Sequence, residues 1–341
     1  MGARFVSSKQ TAVSSKGRRP SWLFLTAYCL ALGAIQGCVS IPFREGAPRA
    51  QLPPQLAAYY EYPTHTHEAT ILLLRHRTTF SEYLVRFPLS VPEGFTPTEP
   101  VVEFEWFGSH ALGRRPAILF NPILGGDYPV ERGVCRVLAQ QGWHVALVHR
   151  KTIKVSPEHE VAHLELLLRQ GMLRIRQVTD WMAADERVDA NRMGSFGISM
   201  GGMASVMTAA VEPRLRAHVV ALAGGPIADI LVSSHDRLLT KPRALYLARN
   251  HMDLHTMEGL LQQAIKTDPI LLAPYVDTRR VFMVIALADR TIGREHALRL
   301  RRALGYPPTV FLPLGHYTAY LFLPYLEHAG LRFLQRQLDT R

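Results

Sequence analysis

The sequence predicts an α/β fold on a mainly parallel sheet of about eight strands, with helices on both faces. Three observations carry that expectation. Short apolar runs recur at residues 117–120, 145–148 and 281–287, and 218–222 and 309–312 are apolar after a leading His218 and Thr309. Stretches with helical spacing of apolar residues separate them, and strands that are apolar throughout are strands covered on both faces. The chain of 341 residues is 48% hydrophobic and 20% charged, enough for one large domain with a real core.

Taken in order, the first 37 residues stand apart. Arg4, Lys9, Lys16, Arg18 and Arg19 fall in a stretch without an acid, and about fourteen mostly apolar residues follow, from Trp22 to Ile35. A basic start followed by a short apolar core is the pattern of an export signal, and the core is too short for a comfortable membrane span. Ile35-Gln36-Gly37-Cys38 comes next and resembles the lipobox of bacterial lipoproteins, although Gln36 departs from the small residue preferred there. The resemblance implies cleavage before Cys38, acylation (palmitate-type chains) of its thiol, and a membrane-anchored lipoprotein; ordinary secretion with cleavage and an uncleaved anchor are the alternatives. In a double-membraned bacterium it implies the outer membrane, facing the periplasm. One acyl chain binds only marginally, so several on one cysteine make an anchor. The net charge is +11, and the leader accounts for five of those charges. With no basic helix interleaved with aromatics, no nucleic-acid partner is expected. Beyond Cys29 and Cys38, Cys135 is the one remaining cysteine, so no disulfide framework is expected and Cys135 reads as a packed thiol.

Residues 38–66 are rich in proline and read as a surface lead-in to a domain spanning 67–341. Residues 70–77, 83–91 and 102–106 read as strands, the first two as an antiparallel pair at one edge. Then the period changes. Strand 117–120 ends in a glycine-rich turn, a helix is expected at about 129–141, a buried strand at 145–148, and a helix over 161–181. Strands at 192–196, 218–222, 281–287 and 309–312 and a last helix at about 319–338 complete the series. In open parallel sheets ligands bind outside the carboxyl ends of the strands, so the chemistry is expected just after Phe120, Phe196, Leu287 and Leu312.

Directly after Phe196 stands Gly197-Ile198-Ser199-Met200-Gly201-Gly202, with a buried strand before it and a small-residue helix, 203–211, after it. This is the form of a nucleophile elbow. The turn is so tight that the serine is strained, while Gly197 and Gly201 must be small to let neighbouring segments approach. The serine oxygen then stands at the positive end of a helix, which favours developing negative charge. Residues 187–202, with their Val-Asp, Arg, aliphatic, Gly order leading into the elbow, are similar to the same segment in dienelactone-hydrolase-like and prolyl-oligopeptidase-like members of the α/β-hydrolase superfamily. The resemblance spans about residues 70–337. It implies the α/β-hydrolase fold and a serine hydrolase acting on a small-molecule or lipid-like ester without a cofactor. Amide or thioester cleavage, or a non-enzymatic envelope role, are the alternatives.

A serine hydroxyl is a poor nucleophile unless a base takes its proton. In this fold the base is a histidine beyond the last strand and its orienting acid lies beyond an earlier one. Asp289 follows the run ending at Leu287, and His316 follows the run ending at Leu312, so Ser199, Asp289 and His316 are the expected catalytic residues. Some relatives place the acid one strand earlier, which would make it Asp229. The oxyanion needs two N–H donors. Met200 supplies one by position. The second comes from the loop Asn121-Pro122-Ile123-Leu124-Gly125-Gly126, where Pro122 has no N–H; Ile123 is expected and Leu124 is the alternative.

Residues 227–277 are more than a crossover needs and read as helical, with helices at 244–250 and 256–266; the superfamily resemblance implies a lid insert, with peripheral packing the alternative. The insert carries Arg237, Lys241, Arg243, Arg249, His251 and His255, which would suit a polar or anionic group on the substrate. His65 and His67 have ligand-like spacing, but nothing completes a ligand set, so no metal is expected.

Overall fold

The computed structural model describes residues 50–63, 68–125, 128–150 and 158–339. The leader, Cys38, His65 and His67 lie outside the described residues. By contact the chain divides at Val39, and every described residue belongs to the unit Ser40–Arg341.

Among the described residues, nine strands form one sheet. They are β1 (Thr70–His76), β2 (Phe80–Pro88), β3 (Val101–Ser109), β4 (Arg115–Asn121), β5 (His144–Val148), β6 (Val188–Ile198), β7 (Leu215–Ala221), β8 (Val281–Ala286) and β9 (Thr309–Leu312). Their spatial order is β1-β2-β3-β5-β4-β6-β7-β8-β9. β1, β2, β3 and β5 pair antiparallel, and from β5 onward every pairing is parallel. The expected mainly parallel sheet with an antiparallel edge is therefore present, with nine strands where about eight were expected.

Two cores flank the sheet. One face carries α3 (Ala162–Ala184), α4 (Met200–Val211) and α9 (Arg294–Ala303), with Leu168, Met172, Met203, Met207 and Leu300 among its buried residues. The other carries α2 (Pro129–Gln140) and α10 (Leu323–Asp339), through Val134, Leu138, Leu331 and Leu334. A short helix, α1 (Pro54–Tyr59), precedes the sheet and ties to α3 where Tyr59 Oη donates to Glu165 at 2.8 Å. Cys135 is buried on α2, and burial pushes its thiol well above the ordinary range.

Element ends differ from the sequence pattern where one residue overrides it. α4 starts at Met200 rather than 203, because Ser199 takes the whole strand-to-helix turn on itself. α10 starts at Leu323 after a 3₁₀ turn, Thr318–Phe322. Pro324 suits a helix's first turn, where its missing N–H is not needed.

The insert holds α5 (Ile227–Ser233), α6 (Arg237–Arg249), α7 (Leu254–Ala264) and α8 (Pro269–Leu272). α6 begins seven residues before the expected helix at 244–250 and carries Pro242 within it. Its start is set by Asp236, whose side chain accepts the Leu238 N–H as an N-cap. No helix among the described residues is long and apolar enough to cross a membrane.

Candidate active site

β6 lies at the centre of the parallel region, between β4 and β7, and delivers Ser199 to the carboxyl edge of the sheet. There Ser199 adopts φ 56° and ψ −120°, a conformation costing about 1–3 kcal/mol for a residue with a Cβ. The surroundings hold it. Its N–H donates to Ala221 O at 2.8 Å and its carbonyl accepts the Met203 N–H at 3.1 Å. The glycines explain how the chain comes so close. A Cβ on Gly197 would lie 2.0 Å from Gly201 O, and one on Gly201 would lie 2.0 Å from Asn121 O.

Two other strand ends bring the remaining groups. Asp289 follows β8 and His316 follows β9. His316 Nε2 lies 3.0 Å from Ser199 Oγ, and His316 Nδ1 lies 2.7 Å from Asp289 Oδ2. A carboxylate only accepts, so the Nδ1 proton faces Asp289 and the Nε2 lone pair faces the serine hydroxyl. The other Asp289 oxygen accepts the N–H groups of Thr291 at 2.8 Å and Ile292 at 2.9 Å, which fix the carboxylate in place. All three side chains are buried. Such an array can pass the serine proton to the imidazole while the carboxylate stabilises the resulting cation.

Asp229, the alternative acid, is directed elsewhere. On α5 it pairs with Arg299 at 2.7 Å and accepts from Gln262 at 3.2 Å, with no bond to His316.

The Met200 N–H stands at the start of α4, where the first N–H groups of a helix have no partner within it. The loop after β4 corrects the expectation for Ile123. Its N–H is already committed, donating to Glu131 Oε1 at 3.0 Å. The cause lies in the tertiary structure: the first turn of α2 carries Glu131 fully buried beneath the loop. Arg150 Nη2 grips the same segment from its carbonyls, 3.0 Å from Pro122 O and 2.5 Å from Ile123 O. Burial lowers the Arg150 pKa to about 10. With Ile123 held on both sides, Leu124, the alternative donor, has an N–H with no acceptor among the described residues.

A cavity of about 220 Å³ opens above Ser199. Its walls come from α3 (Leu164, Leu168), α4 (Met203) and the insert (Ile230, Leu231, Leu239). The insert thus forms one side of the site. None of its basic residues lines the cavity, which removes the expected partner for an anionic substrate group.

Sequence patterns did not reveal Asp236. Its Oδ2 accepts from Tyr317 Oη at 2.5 Å and from Thr291 Oγ1 at 2.9 Å, tying the insert to the loops of His316 and Asp289. Burial alone would raise its pKa, but the Tyr317, Leu238 and Thr291 hydrogen bonds and nearby His316 bring it below the usual carboxylate value. Burial and Asp236 push the Tyr317 phenol up to about 12. An aspartate before a helix signals a cap; nothing local signals its second set of bonds. Among the described residues no group of three or more His, Cys, Asp or Glu could hold a metal ion.

A serine on a strained turn at the carboxyl edge of a parallel sheet, facing a histidine supplied from beyond the last strand, defines the class. The protein is a serine hydrolase with the α/β-hydrolase fold. The prolyl oligopeptidase family matches residues 137–315, more than half of the chain, and the chain belongs to that family. No curated protein matches it. Among solved structures it is similar to an acetyl xylan esterase from Paenibacillus sp. R4, with TM-score 0.62 and 16% identity over 90% of this chain and 99% of that one. It is also similar to acetyl xylan esterase 1 from Thermoanaerobacterium sp. JW/SL YS485, with TM-score 0.60 and 15% identity over 87% and 98% of the two chains. The Pyrococcus horikoshii acylaminoacyl peptidase gives TM-score 0.54 and 14% identity over 76% of this chain and 42% of that one. At such identities the likeness is one of fold.

Proposed function

We propose that the protein hydrolyses carboxylic esters whose acyl group is neutral and aliphatic, through an acyl-enzyme on Ser199. The observation that carries this is the 3.0 Å approach of His316 Nε2 to Ser199 Oγ at the floor of an apolar cavity. Ser199 Oγ attacks the ester carbonyl carbon as its proton passes to His316 Nε2. Asp289 holds the imidazole tautomer and stabilises its cation. The N–H groups of Met200 and Leu124 receive the oxyanion. Collapse breaks the bond to the alkoxy oxygen, which leaves as the alcohol with the proton from His316. Water, deprotonated by the same imidazole, then releases the acid.

The cavity walls support the acyl assignment. Among the described residues, Asp236 is the one carboxylate that lines it, and no lysine or arginine does. A substrate carboxylate would meet repulsion without a partner, whereas each methylene buried on the aliphatic walls gains about 0.8 kcal/mol. The two acetyl xylan esterases of like fold agree with ester chemistry. The test is turnover of p-nitrophenyl esters of increasing chain length, beside Ser199→Ala. Rates should rise with chain length until the cavity is filled, and vanish in the variant. Activity that survives Ser199→Ala would sink the proposal.

Family membership and the likeness to an acylaminoacyl peptidase favour a second reading, amide cleavage. An ester and an anilide with the same acyl group separate the two. Preferential turnover of the anilide would replace the ester proposal.

We also propose that residues 1–37 are an export signal, that lipidated Cys38 anchors the protein at a membrane, and that 227–277 act as a lid on the hydrolase domain. The basic and apolar leader pattern supports the first two, and the cavity walls given by the insert support the third. Labelled palmitate should enter the parent and not Cys38→Ala.

A further inference from the structure

The outward side of α6 is unlike a solvated helix face. Its exposed residues are Arg237, Leu238, Lys241, Ala244, Leu245, Ala248 and Arg249, which recur at helical spacing along one side. They comprise two leucines, two alanines and three cations, with no acid or neutral polar residue. Leu238 is 63% and Leu245 59% exposed. The opposite side is apolar too: Tyr246 is buried, and Leu239 and Leu247 pack on the core. A helix that is apolar on both sides normally has a neighbour on both sides.

The charges select the neighbour. Arg249 pairs with Glu158 at 3.3 Å, and Arg243 is turned inward onto the carbonyls of Leu231, Val232 and Ser234. Asp236, at the amino end, spends its carboxylate on Tyr317, Thr291 and the helix cap. Arg237 and Lys241 have no carboxylate partner among the described residues. Exposed leucines flanked by uncompensated cations match an interface of lipid tails and anionic headgroups.

The position fits as well. Leu238 lines the cavity above Ser199, and so does Tyr317, which is 57% exposed. The outward face of α6 is therefore continuous with the cavity mouth.

We propose that the outward face of α6 seats on an anionic lipid surface, so that the site takes its substrate from that surface. The second clause rests on the ester function; the docking does not. Leu238 and Leu245 enter the headgroup boundary while Arg237 and Lys241 meet the anionic headgroups. This contact is separate from any anchor at Cys38.

The test uses the compact unit Ser40–Arg341, which lacks Cys38 and the leader. Co-sedimentation is measured with phosphatidylcholine vesicles and with vesicles that also contain phosphatidylglycerol. The parent should bind the anionic vesicles and lose them at raised salt. The double variant Lys241→Glu with Leu245→Glu should bind at least about tenfold more weakly, since one basic residue near such a surface matters by about fivefold and the variant also adds two negative charges. Neither residue lines the cavity, so turnover of a soluble short ester should match the parent and report an intact fold. Leu245→Ser alone tests the apolar part without a charge change and should also weaken binding. Equal binding of parent and variants, or no binding of the parent to anionic vesicles, overturns the proposal. Failure of the ester function has a different signature: vesicle binding persists without turnover of any ester.

Discussion

The backbone N–H of Ile123 donates to Glu131 Oε1 at 3.0 Å, so the loop over the active serine hangs from a carboxylate buried in the helix below. The second Glu131 oxygen has no partner among the described residues, and the hydrogen bond to Ile123 is the side chain's visible task. Truncating it should loosen the loop and blur the position of the Leu124 N–H. Glu131→Ala is expected to lower kcat about 10- to 100-fold, somewhat less than deleting an oxyanion donor outright. KM should change little, and Glu131→Gln, which keeps an acceptor, should lie nearer the parent. Steady-state kinetics on one ester check this; a KM change with kcat intact would contradict it.

Asp289 holds His316 through one oxygen and is itself held through the other by two backbone N–H groups. Asp289→Asn preserves the shape but offers a donor where Nδ1–H needs an acceptor, so it favours the wrong tautomer. A fall in kcat of about 10⁴ is expected. Asp229→Asn should leave kcat within a few-fold, because Asp229 faces Arg299. Comparable losses in both variants would place the acid wrongly.

Gly201 sits where a Cβ would meet the Asn121 carbonyl at 2.0 Å, and backbone cannot yield as a side-chain tip can. Gly201→Ala should destabilise the domain by more than about 3 kcal/mol, in the upper range for single substitutions. Gly259→Ala is the control. A Cβ there meets nothing within 4 Å, and in the middle of α7 alanine should stabilise by up to about 1 kcal/mol. Thermal melts of both variants decide.

Acid sensitivity should arise away from the site, at His144. The ring is buried, accepts the Ser109 N–H at Nδ1 at 3.1 Å, and stacks on Trp106. Burial first, and the Arg187 charge second, lower its pKa to about 4. Between that value and about 6.5, where an unfolded histidine titrates, the unfolded chain binds the extra proton. Stability contributed by neutral His144 is therefore present above pH 6.5 and is lost as pH falls toward 4. Tm should drop across that window in the parent and less steeply in His144→Gln. Identical slopes would exclude His144 as the cause.

Much of this architecture is legible along the chain. Residues 117–120 and 145–148 are apolar throughout because β4 and β5 have helices on both faces, and burial on two faces erases alternation. The glycines around Ser199 announce the elbow because few other sequences permit so close an approach. The order of serine, aspartate and histidine follows from strand order. Where patterns misled, a contact from elsewhere in the chain intervened. Pro122 rightly removed one donor from its loop, yet Glu131, eight residues on, removed the next.

The apolar run of β1 shows the boundary between the two kinds of information. Ile71, Leu72, Leu73 and Leu74 read as a strand and form one, yet all four are exposed, because β1 pairs with β2 alone and ends the sheet. By itself the sequence determined the strands and the long helices that flank the sheet, where the serine turn falls, and that an acid and a histidine follow it in order. These are consequences of spacing and residue type. Only the tertiary structure decided which strand is an edge, that the Ile123 N–H is engaged while that of Leu124 has no acceptor among the described residues, and that Asp236 joins the insert to the loops of Asp289 and His316. Those outcomes depend on distances between residues far apart in the chain, and such distances exist only once the sheet has brought its strand ends together.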